Sequence, residues 1–410
     1  MLRMGFKSVF SLVVVFTLYT CIDPFNPNIS GNASMLVVDG LITDANSSYS
    51  VILSRTVDKQ DSYPAMISNA TVFISDDTGK SSYLINHGNG LYKTDSIEFK
   101  GVEGRTYILH VQTGDGEEYE STPCTMKPGT DIDTIYFTRD NELISNGTEN
   151  MEGIRIFLDS KRGETDSYYR WDFEETWKFK IPNPKKYDYL LKDSVIVPHS
   201  PVNEYCWKYK KSDQILIHSV MSSEADSFKN IPLFFIASDK SDRLLIQYSI
   251  LVRQHSISKK EYDFWNNIKQ VNESGDDIFG RQPYPVDGNI HNINNPNEKV
   301  LGYFQVSSIR EKRRYITFNE TVGLNLPYYH YPCTRIEKSP LDYPRAPGVP
   351  PMTWAELYQM FCVTSDFYFV EPIYKSGDNE LEKMAFTTPE CADCGLTGTV
   401  TKPDFWTDLE

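Results

Sequence analysis

The chain has 410 residues, with 41 lysine and arginine residues against 56 aspartate and glutamate residues, which gives a formal net charge of −15 at pH 7. This length exceeds the range in which one hydrophobic core keeps growing, so we expect two or more domains. The negative charge repels phosphate backbones and anionic lipid head groups. We therefore do not expect nucleic acid as a partner.

The first residues have the pattern of an export signal. Arg3 and Lys7 precede an apolar stretch over 9–18, which is too short to span a membrane. No other stretch approaches the roughly 18 consecutive apolar residues that a spanning helix needs. We therefore expect a protein that is anchored to a membrane and not threaded through it.

The anchor is predicted from the residues that end this stretch. Leu18-Tyr19-Thr20-Cys21 resembles the lipobox of bacterial lipoproteins, in which cleavage leaves the cysteine first and its sulfur carries diacylglycerol. We predict a signal peptide over 1–20, lipidation of Cys21 and a polar tether over 21–34, which is rich in Pro and Asn. The alternative is ordinary secretion, with Cys21 lost or paired.

The remaining cysteines are even in number, and in an exported protein six cysteines permit up to three disulfides. These candidates are Cys124, Cys206, Cys333, Cys362, Cys391 and Cys394. Cys391-Ala-Asp-Cys394 has the spacing of a thioredoxin-type redox motif, but no helix-forming run follows it, and zinc would need a second ligand pair. We predict that at least one of these two cysteines forms a structural disulfide.

The first part of the mature chain, 35–127, has the pattern of an all-β module. Short alternating or β-branched runs such as LVVDGLIT, ATVFISDD and RTYILHVQT are separated by turns of Gly, Asn and Asp. This spacing predicts a β-sandwich of immunoglobulin-like or transthyretin-like size. For 128–410 we predict a second, larger β-rich domain with a few short helices, so that the fold class is mainly β.

The clearest strand of the second region is YYRWDFEETWKFK, which starts at Tyr168. A period of two places its aromatic residues on one face: Tyr169, Trp171, Phe173, Trp177 and Phe179. Glu175 lies in the same row, and a carboxylate among aromatic side chains must be paired, lie at a strand end or be functional. We favour pairing, with an arginine as the candidate partner, over catalysis.

A nearly continuous apolar run over 244–252 predicts a strand that is buried on both faces. Arg253 and His255 then share one strand face, and we interpret them as a satisfied pair at the edge of the core and not as a binding pair.

Two helix starts follow in the sequence. Ser258-Lys-Lys-Glu261 has capping-box spacing and predicts a helix near 259–273. Thr353-Trp-Ala-Glu356 has the same spacing and predicts a short helix near 354–362.

Catalytic motifs are absent from the sequence, which has no GxSxG, HExxH, P-loop or GxGxxG pattern. We therefore predict no catalytic residues, no metal site and no cofactor. Adjacent acidic residues such as Glu174-Glu175 point to opposite faces of a strand, so a glycosidase pair would have to come from different segments. Tyr328, Tyr329 and Tyr331 in LPYYHYPC either contact a ligand or partner or pack on the protein body, since tyrosine serves both roles.

Several segments, taken in order, carry a family resemblance: CIDP, LVVDGLIT, ATVFISDDTGK, GRTYILHV, YYRWDFEETW, YSILVRQHSIS, NNPNEKVLGYFQVSS and CADCGLTG. Over nearly the whole mature length the chain resembles a family of Bacteroidetes outer-membrane lipoproteins, the domain of unknown function numbered 4249. The resemblance implies a lipoprotein associated with TonB-dependent outer-membrane receptors, as an accessory in binding or uptake. It implies no catalytic residue.

Our leading interpretation is a non-enzymatic, lipid-anchored accessory or binding protein on either face of the outer membrane, with a TonB-dependent receptor as partner. The rival is an envelope hydrolase that acts on glycans or peptides, and a third possibility is a purely structural envelope component. A hydrolase needs convergent carboxylates or a nucleophile–base pair in a concave site, so the arrangement of these groups separates the first two interpretations.

Overall fold

The computed structural model describes residues 34–57, 63–95, 99–143, 150–163, 165, 167–221, 227–274 and 285–409. The protein is mainly β, with 47% strand and 13% helix, and consists of several sheets and a few short helices. The predicted fold class, mainly β with a few short helices, is confirmed. Among the described residues, no helix is long and apolar enough to cross a membrane. Cys21 and the predicted signal peptide lie outside the described residues.

The first twelve strands are β1 (Leu36–Thr43), β2 (Ser50–Arg55), β3 (Ala65–Met66), β4 (Thr71–Asp76), β5 (Ser81–Tyr83), β6 (Ile85–Asn86), β7 (Leu91–Lys93), β8 (Thr106–Gln112), β9 (Glu118–Ser121), β10 (Cys124–Thr125), β11 (Ile132–Leu143) and β12 (Asn150–Lys161).

The second twelve are β13 (Ser167–Lys180), β14 (Tyr187–Leu190), β15 (Val195–Pro198), β16 (Tyr205–Lys211), β17 (Leu216–Val220), β18 (Ser227–Ala237), β19 (Gln247–Ile257), β20 (Ile290–Asn292), β21 (Leu301–Thr317), β22 (Arg335–Lys338), β23 (Tyr368–Tyr374) and β24 (Leu381–Thr387). The α-helices are α1 (Lys259–Ser274), α2 (Phe318–Val322), α3 (Trp354–Tyr358) and α4 (Pro389–Ala392).

Ten strands form one long sheet, in the order β16-β13-β19-β21-β1-β2-β7-β6, with β17 beside β13 and β3 beside β2. β1 and β21 pair in parallel, from Val37 beside Leu301 to Thr43 beside Ser307. The long sheet therefore contains strands from both sides of residue 127, where the sequence predicted a domain boundary. The division into 35–127 and 128–410 stays a prediction.

A second sheet, which we call the N-terminal sheet, has the order β20-β9-β8-β4-β5, with β10 beside β8. Its strand β8 alternates between buried and partly exposed residues and buries Tyr107, Leu109 and Val111. These side chains share one core with Val38 and Phe304 of the long sheet. Removal of this apolar surface from water stabilises the contact by about 1.5–3 kcal/mol per large side chain.

A three-stranded sheet, β11-β12-β18, covers the other part of the long sheet, and we call it the cover sheet. Its strand β12 buries Ile154, Ile156 and Leu158 completely. They share a core with the aromatic row of β13: Tyr169, Trp171, Phe173, Trp177 and Phe179. The predicted orientation of this row is confirmed, because a strand whose apolar residues recur every second position buries one face.

The strand expected over 244–252 begins later than predicted, at Gln247. The preceding residues, Asp242–Leu244, form a 3-10 turn instead, because the Ser241 hydroxyl accepts a hydrogen bond from the Arg243 N–H at 3.2 Å. β19 is then buried along most of its length, as predicted.

Helix α1 begins where the capping residues place it. The Ser258 hydroxyl accepts a hydrogen bond from the Glu261 N–H at 3.1 Å. The helix packs on the long sheet through Phe264, whose ring centroid lies 4.7 Å from that of Tyr303. The Glu261 side chain is buried and only 2% exposed.

The C-terminal part contains the small sheet β22-β24-β23 and the helix predicted near 354–362. That helix is α-helical over Trp354–Tyr358 and continues as a π-helical turn over Gln359–Thr364. Its Leu357 is completely buried and packs in a small core with Phe369 and Phe386.

Candidate functional site

The segment LPYYHYPC, residues 326–333, forms a loop after α2, and we call it the tyrosine loop. Tyr328 is 54% exposed. Its ring lies edge-on to that of Phe318, with the centroids 5.9 Å apart. Tyr329 and Tyr331 form a second edge-on pair at 5.1 Å. The loop therefore packs on the body of the protein and leaves the ring of Tyr328 exposed, and its contact with a ligand or partner stays a prediction.

Tyr331 joins the tyrosine loop to a buried carboxylate. Its hydroxyl donates to Oδ2 of Asp242 at 3.3 Å. Burial and the adjacent Asp242 charge raise the pKa of Tyr331. Asp242 is 5% exposed and also accepts hydrogen bonds from Trp177 Nε1 at 2.8 Å and Lys208 Nζ at 2.7 Å. These donors compensate the burial of its charge.

Glu175 has the arginine partner that its position in the aromatic row predicted. Oε2 of this carboxylate accepts from Arg243 Nε at 2.7 Å, and Oε1 lies 3.4 Å from Nη2 of the same guanidinium. The Tyr248 hydroxyl also donates to Oε2, at 3.1 Å. Arg243 in turn lies over the ring of Trp177, 4.6 Å from its centroid. The predicted pairing of Glu175 with an arginine is confirmed.

Glu175 and Arg243 line a cleft of about 210 Å³, together with Phe173 and Phe234. Neither Glu175 nor Asp242 has the surroundings of a glycosidase residue. A general acid or nucleophile must contact the substrate with a free oxygen, whereas each of these carboxylates is buried and bonded to a cation and an aromatic donor.

Asp172, His255 and Ser307, on three neighbouring strands, are linked by hydrogen bonds in the order of a Ser–His–Asp triad. His255 Nε2 lies 2.7 Å from Oδ2 of Asp172, and its Nδ1 lies 3.0 Å from Oγ of Ser307. Burial and the charge of Arg170 lower the pKa of His255, so the imidazole is neutral at pH 7. Nε2–H then donates to Asp172, and the Ser307 hydroxyl donates to Nδ1.

This chain of hydrogen bonds is enclosed. Ser307 is 0% and His255 is 1% exposed, whereas a catalytic serine must touch the bond that it cleaves. Burial alone would raise the pKa of Asp172, but the hydrogen bond from His255 and the charges of Arg170 and Arg253 lower it.

Arg253 lies beside this chain of hydrogen bonds. It bonds to Glu174 at 3.0 Å and to Glu311 at 2.7 Å. Arg253 and His255 are thus satisfied side chains at the edge of the core, as predicted.

Four of the described cysteines form two disulfides, Cys206–Cys394 and Cys333–Cys391. The two cysteines of Cys391-Ala-Asp-Cys394 therefore bond to different partners and not to each other. One of these partners, Cys333, closes the tyrosine loop, so the C-terminal tail holds the end of that loop.

Cys124 and Cys362, which were also disulfide candidates, are thiols. Burial raises the pKa of Cys124 to about 12 and that of Cys362 to about 11. At neutral pH both side chains are protonated and unreactive. The predicted lipid site, Cys21, lies outside the described residues.

Sequence reasoning found the tyrosine loop and Glu175 but not Asp242 or Arg243. These two residues lie in SDKSDRLL, which has no aromatic row or motif to single them out. Over the described ranges, no group of three His, Cys, Asp or Glu side chains is placed to hold a metal ion.

Comparison with known proteins gives one assignment. A search of curated proteins found no match. A family model described as domain of unknown function DUF4249 matches residues 22–313, which is more than half of the chain. The protein is therefore a member of the DUF4249 family.

Proposed function

We propose that this protein is a lipoprotein of the outer membrane, anchored through Cys21, that acts without catalysis as an accessory or binding protein of a TonB-dependent receptor. The tyrosine loop is the surface that contacts the receptor or its ligand. The export signal, the lipobox and the resemblance to envelope lipoproteins support the location.

The observation that carries this proposal is the exposed ring of Tyr328 on an immobilised loop. Tyr328 and Val322 are 54% and 53% exposed and border the same small hollow of about 50 Å³. The loop around them is fixed by the Tyr331–Asp242 hydrogen bond and the Cys333–Cys391 disulfide. An aromatic ring held in place before binding loses little conformational freedom at an interface, which favours tyrosine as an anchor.

We infer that the first module is an immunoglobulin-like or transthyretin-like β-sandwich, whose layers are the N-terminal sheet and the adjoining strands of the long sheet. Their shared core, with Val38 and Phe304 opposite Leu109 and Val111, supports this arrangement.

The receptor proposal is tested by affinity capture from detergent-solubilised envelopes, with identification of co-purifying proteins by mass spectrometry. We expect the wild-type protein to capture a TonB-dependent receptor and Tyr328→Ala to capture at least tenfold less. Tyr63→Ala is the matched control, because Tyr63 is 93% exposed and lies outside the loop. Repeated capture of no outer-membrane receptor, or equal capture by Y328A and wild type, contradicts the proposal.

The lipid anchor has its own test. We expect Cys21→Ser to release the protein from membranes and to abolish labelling with a radioactive fatty acid. An unlabelled wild-type protein that stays on the membrane contradicts lipidation at Cys21.

The hydrolase alternative would need Ser307 of the enclosed Asp172–His255–Ser307 series to act as a nucleophile. Our proposal predicts that the purified protein hydrolyses p-nitrophenyl acetate no faster than its Ser307→Ala variant. Turnover above background that S307A removes would instead favour a hydrolase, because only a nucleophilic role of Ser307 requires its hydroxyl for turnover.

A further inference from the structure

The last part of the chain crosses one face of the long sheet. Residues 400–409, which we call the C-terminal strap, lie over the neighbouring strands β16, β13, β19 and β21. The strap contacts one side chain from each of them: Trp207, Lys178, Gln247 and Tyr315. The register pairs Lys178 with both Trp207 and Gln247. These four side chains therefore form one continuous surface, which we call the strap face.

A tryptophan anchors the strap. Trp406 is 4% exposed, and its ring lies edge-on to those of Trp207 and Tyr315, with centroids 6.3 Å and 5.8 Å away. The Tyr315 hydroxyl donates to the Phe405 carbonyl at 2.6 Å. A tryptophan held among aromatic rings is a frequent anchor where one polypeptide binds another.

Gln247 recognises the backbone of the strap. This side chain is buried and 3% exposed. Its Nε2 donates to the Thr407 carbonyl at 2.6 Å, and its Oε1 accepts from the Leu409 N–H at 3.0 Å. A carbonyl and an N–H two residues apart are features of any peptide backbone. The strap face is thus built to hold a polypeptide segment.

The strap face also pairs with a negative charge. Lys178 Nζ donates to Oδ1 of Asp408 at 2.9 Å. Asp404 and Asp408 give the strap two negative charges, against one positive charge from Lys402. The contact with Lys178 therefore favours an acidic segment over a basic one.

The strap is attached less firmly than the residues before it. Thr399 and Trp207 each donate a backbone hydrogen bond to the other, at 2.9 Å. Within the described part of the chain, no backbone–backbone hydrogen bond joins 400–409 to the rest of the protein. Trp406 is the one buried residue of these ten, all of which the structure describes. A terminal segment with so few buried contacts opens at a small fraction of the free energy of unfolding.

We propose that the strap face is a peptide-binding site that the chain's own strap occupies. A partner protein displaces the strap by presenting an acidic segment, in which a carboxylate follows two residues after a tryptophan. The tryptophan takes the place of Trp406, the backbone pairs with Gln247, and the carboxylate bonds to Lys178. The site depends neither on the lipid anchor nor on the receptor contact of the tyrosine loop.

Calorimetric titration tests this site in the full chain with Trp406→Ala, whose strap has lost its anchor. The probe is the synthetic peptide TKPDFWTDLE, which is the sequence of 401–410. We expect saturable binding to W406A and about tenfold weaker binding to the wild type, because the tethered strap competes at a high effective concentration. We expect no saturable binding of the same peptide with alanine in place of its tryptophan.

A second variant tests the backbone contact. Both hydrogen bonds that the structure gives the Gln247 side chain go to the strap. Added to W406A, Gln247→Ala should therefore leave the melting temperature unchanged and weaken peptide binding about tenfold. The matched control is Gln112→Ala, which changes an exposed residue of the N-terminal sheet. We expect it to leave peptide binding unchanged.

Hydrogen–deuterium exchange of the wild type, followed by NMR, tests the release of the strap without any variant. The Leu409 N–H becomes accessible when the strap leaves, whereas the Thr399 N–H stays bonded to Trp207. We expect Leu409 to exchange about a hundredfold faster than Thr399.

Sedimentation of the wild type separates a partner protein from a second copy of this chain. We expect a monomer at the concentrations of the titration, because each strap occupies its own strap face. A dimer that W406A abolishes would assign the site to the strap of a second copy and overturn the proposal. The proposal is equally overturned if W406A shows no saturable binding, if the alanine peptide binds as well, if Q247A leaves the affinity unchanged, or if Leu409 and Thr399 exchange equally.

Discussion

Arg243 and Glu175 form a buried ion pair, with Nε of the guanidinium 2.7 Å from Oε2 of the carboxylate. Their side chains are 19% and 3% exposed. The pair lies where a charge interrupts the aromatic row of β13, and it satisfies a carboxylate that would otherwise be desolvated among rings. Breaking such a pair on one side leaves the other charge buried without compensation.

We expect Arg243→Ala to lower the free energy of unfolding by about 3–5 kcal/mol, because Glu175 then stays buried without its cation. Urea denaturation at pH 7, followed by circular dichroism, measures this loss. Glu152→Gln is the control, since Glu152 pairs with Arg139 at the same distance of 2.7 Å but with side chains 39% and 49% exposed. We expect that change to cost at most about 1 kcal/mol. Equal losses in the two variants would contradict the structural role of the Glu175 pair.

The disulfides predict a specific peptide map. We expect proteolysis without reduction, with an enzyme that cleaves before Asp393 and so separates Cys391 from Cys394, to yield two cross-linked peptides, one that joins Cys206 to Cys394 and one that joins Cys333 to Cys391. Cys124 and Cys362 should react with iodoacetamide only after denaturation, because both thiols are protonated and partly buried. Mass spectrometry of the alkylated digest reads both results. A peptide with a Cys391–Cys394 bond would contradict the Cys206–Cys394 and Cys333–Cys391 pairing.

Local patterns in the sequence predicted local structure well. The period of two in YYRWDFEETWKFK identified the buried face of β13, and Ser258 and Thr353 marked the starts of α1 and α3. The same reasoning required a partner for Glu175, because the cost of burying a charge is a local property of its surroundings.

Long-range pairing was beyond this reasoning. The partner of Glu175 is 68 residues away, and the two disulfides join cysteines that are 188 and 58 residues apart. The parallel pairing of β1 with β21 joins the first described strand to one beyond residue 300. Periodicity shows which face of a strand is buried but not which strand lies beside it, because that choice depends on how whole sheets pack.

The buried carboxyl of Glu261 is expected to make the protein less stable as the pH rises from 4.5 to 7. Burial raises its pKa to about 7, although the charge of Arg170 and a contact with Trp265 oppose this shift. Between pH 4.5 and 7 the folded protein holds a proton that the unfolded chain releases, so this group's contribution to stability is present below pH 4.5 and is lost as the pH rises to 7. From the size of the shift, the loss is about 3 kcal/mol.

We expect Glu261→Gln to remove this dependence. The difference in free energy of unfolding between E261Q and the wild type should move in favour of the variant by about 2.5 kcal/mol between pH 5 and pH 8, since a small part of the effect is already lost at pH 5. Urea denaturation at several pH values measures it. Exposed Glu273 on the same helix provides the control variant Glu273→Gln, whose difference from the wild type should stay constant. A flat difference for E261Q would show that Glu261 is ionised in the folded protein.

The parallel contact between β1 and β21 depends on Gly302. This residue has a φ of +91°, and a Cβ atom placed on it would lie 1.9 Å from the carbonyl oxygen of Val38. Gly302→Ala therefore adds backbone strain and also pushes apart the two strands that connect the first module to the rest of the long sheet.

Gly116 separates these two effects, because it has the same φ of +91° but no atom within 4 Å of the added Cβ. We expect Gly116→Ala to cost about 1–2 kcal/mol through backbone strain alone. Gly302→Ala should cost at least about 2 kcal/mol more, since the steric clash at Val38 adds to the same strain. Urea denaturation of the two variants gives both free energies of unfolding. Equal losses would mean that β21 does not lie against β1 at this residue, and the continuous long sheet would then be wrong.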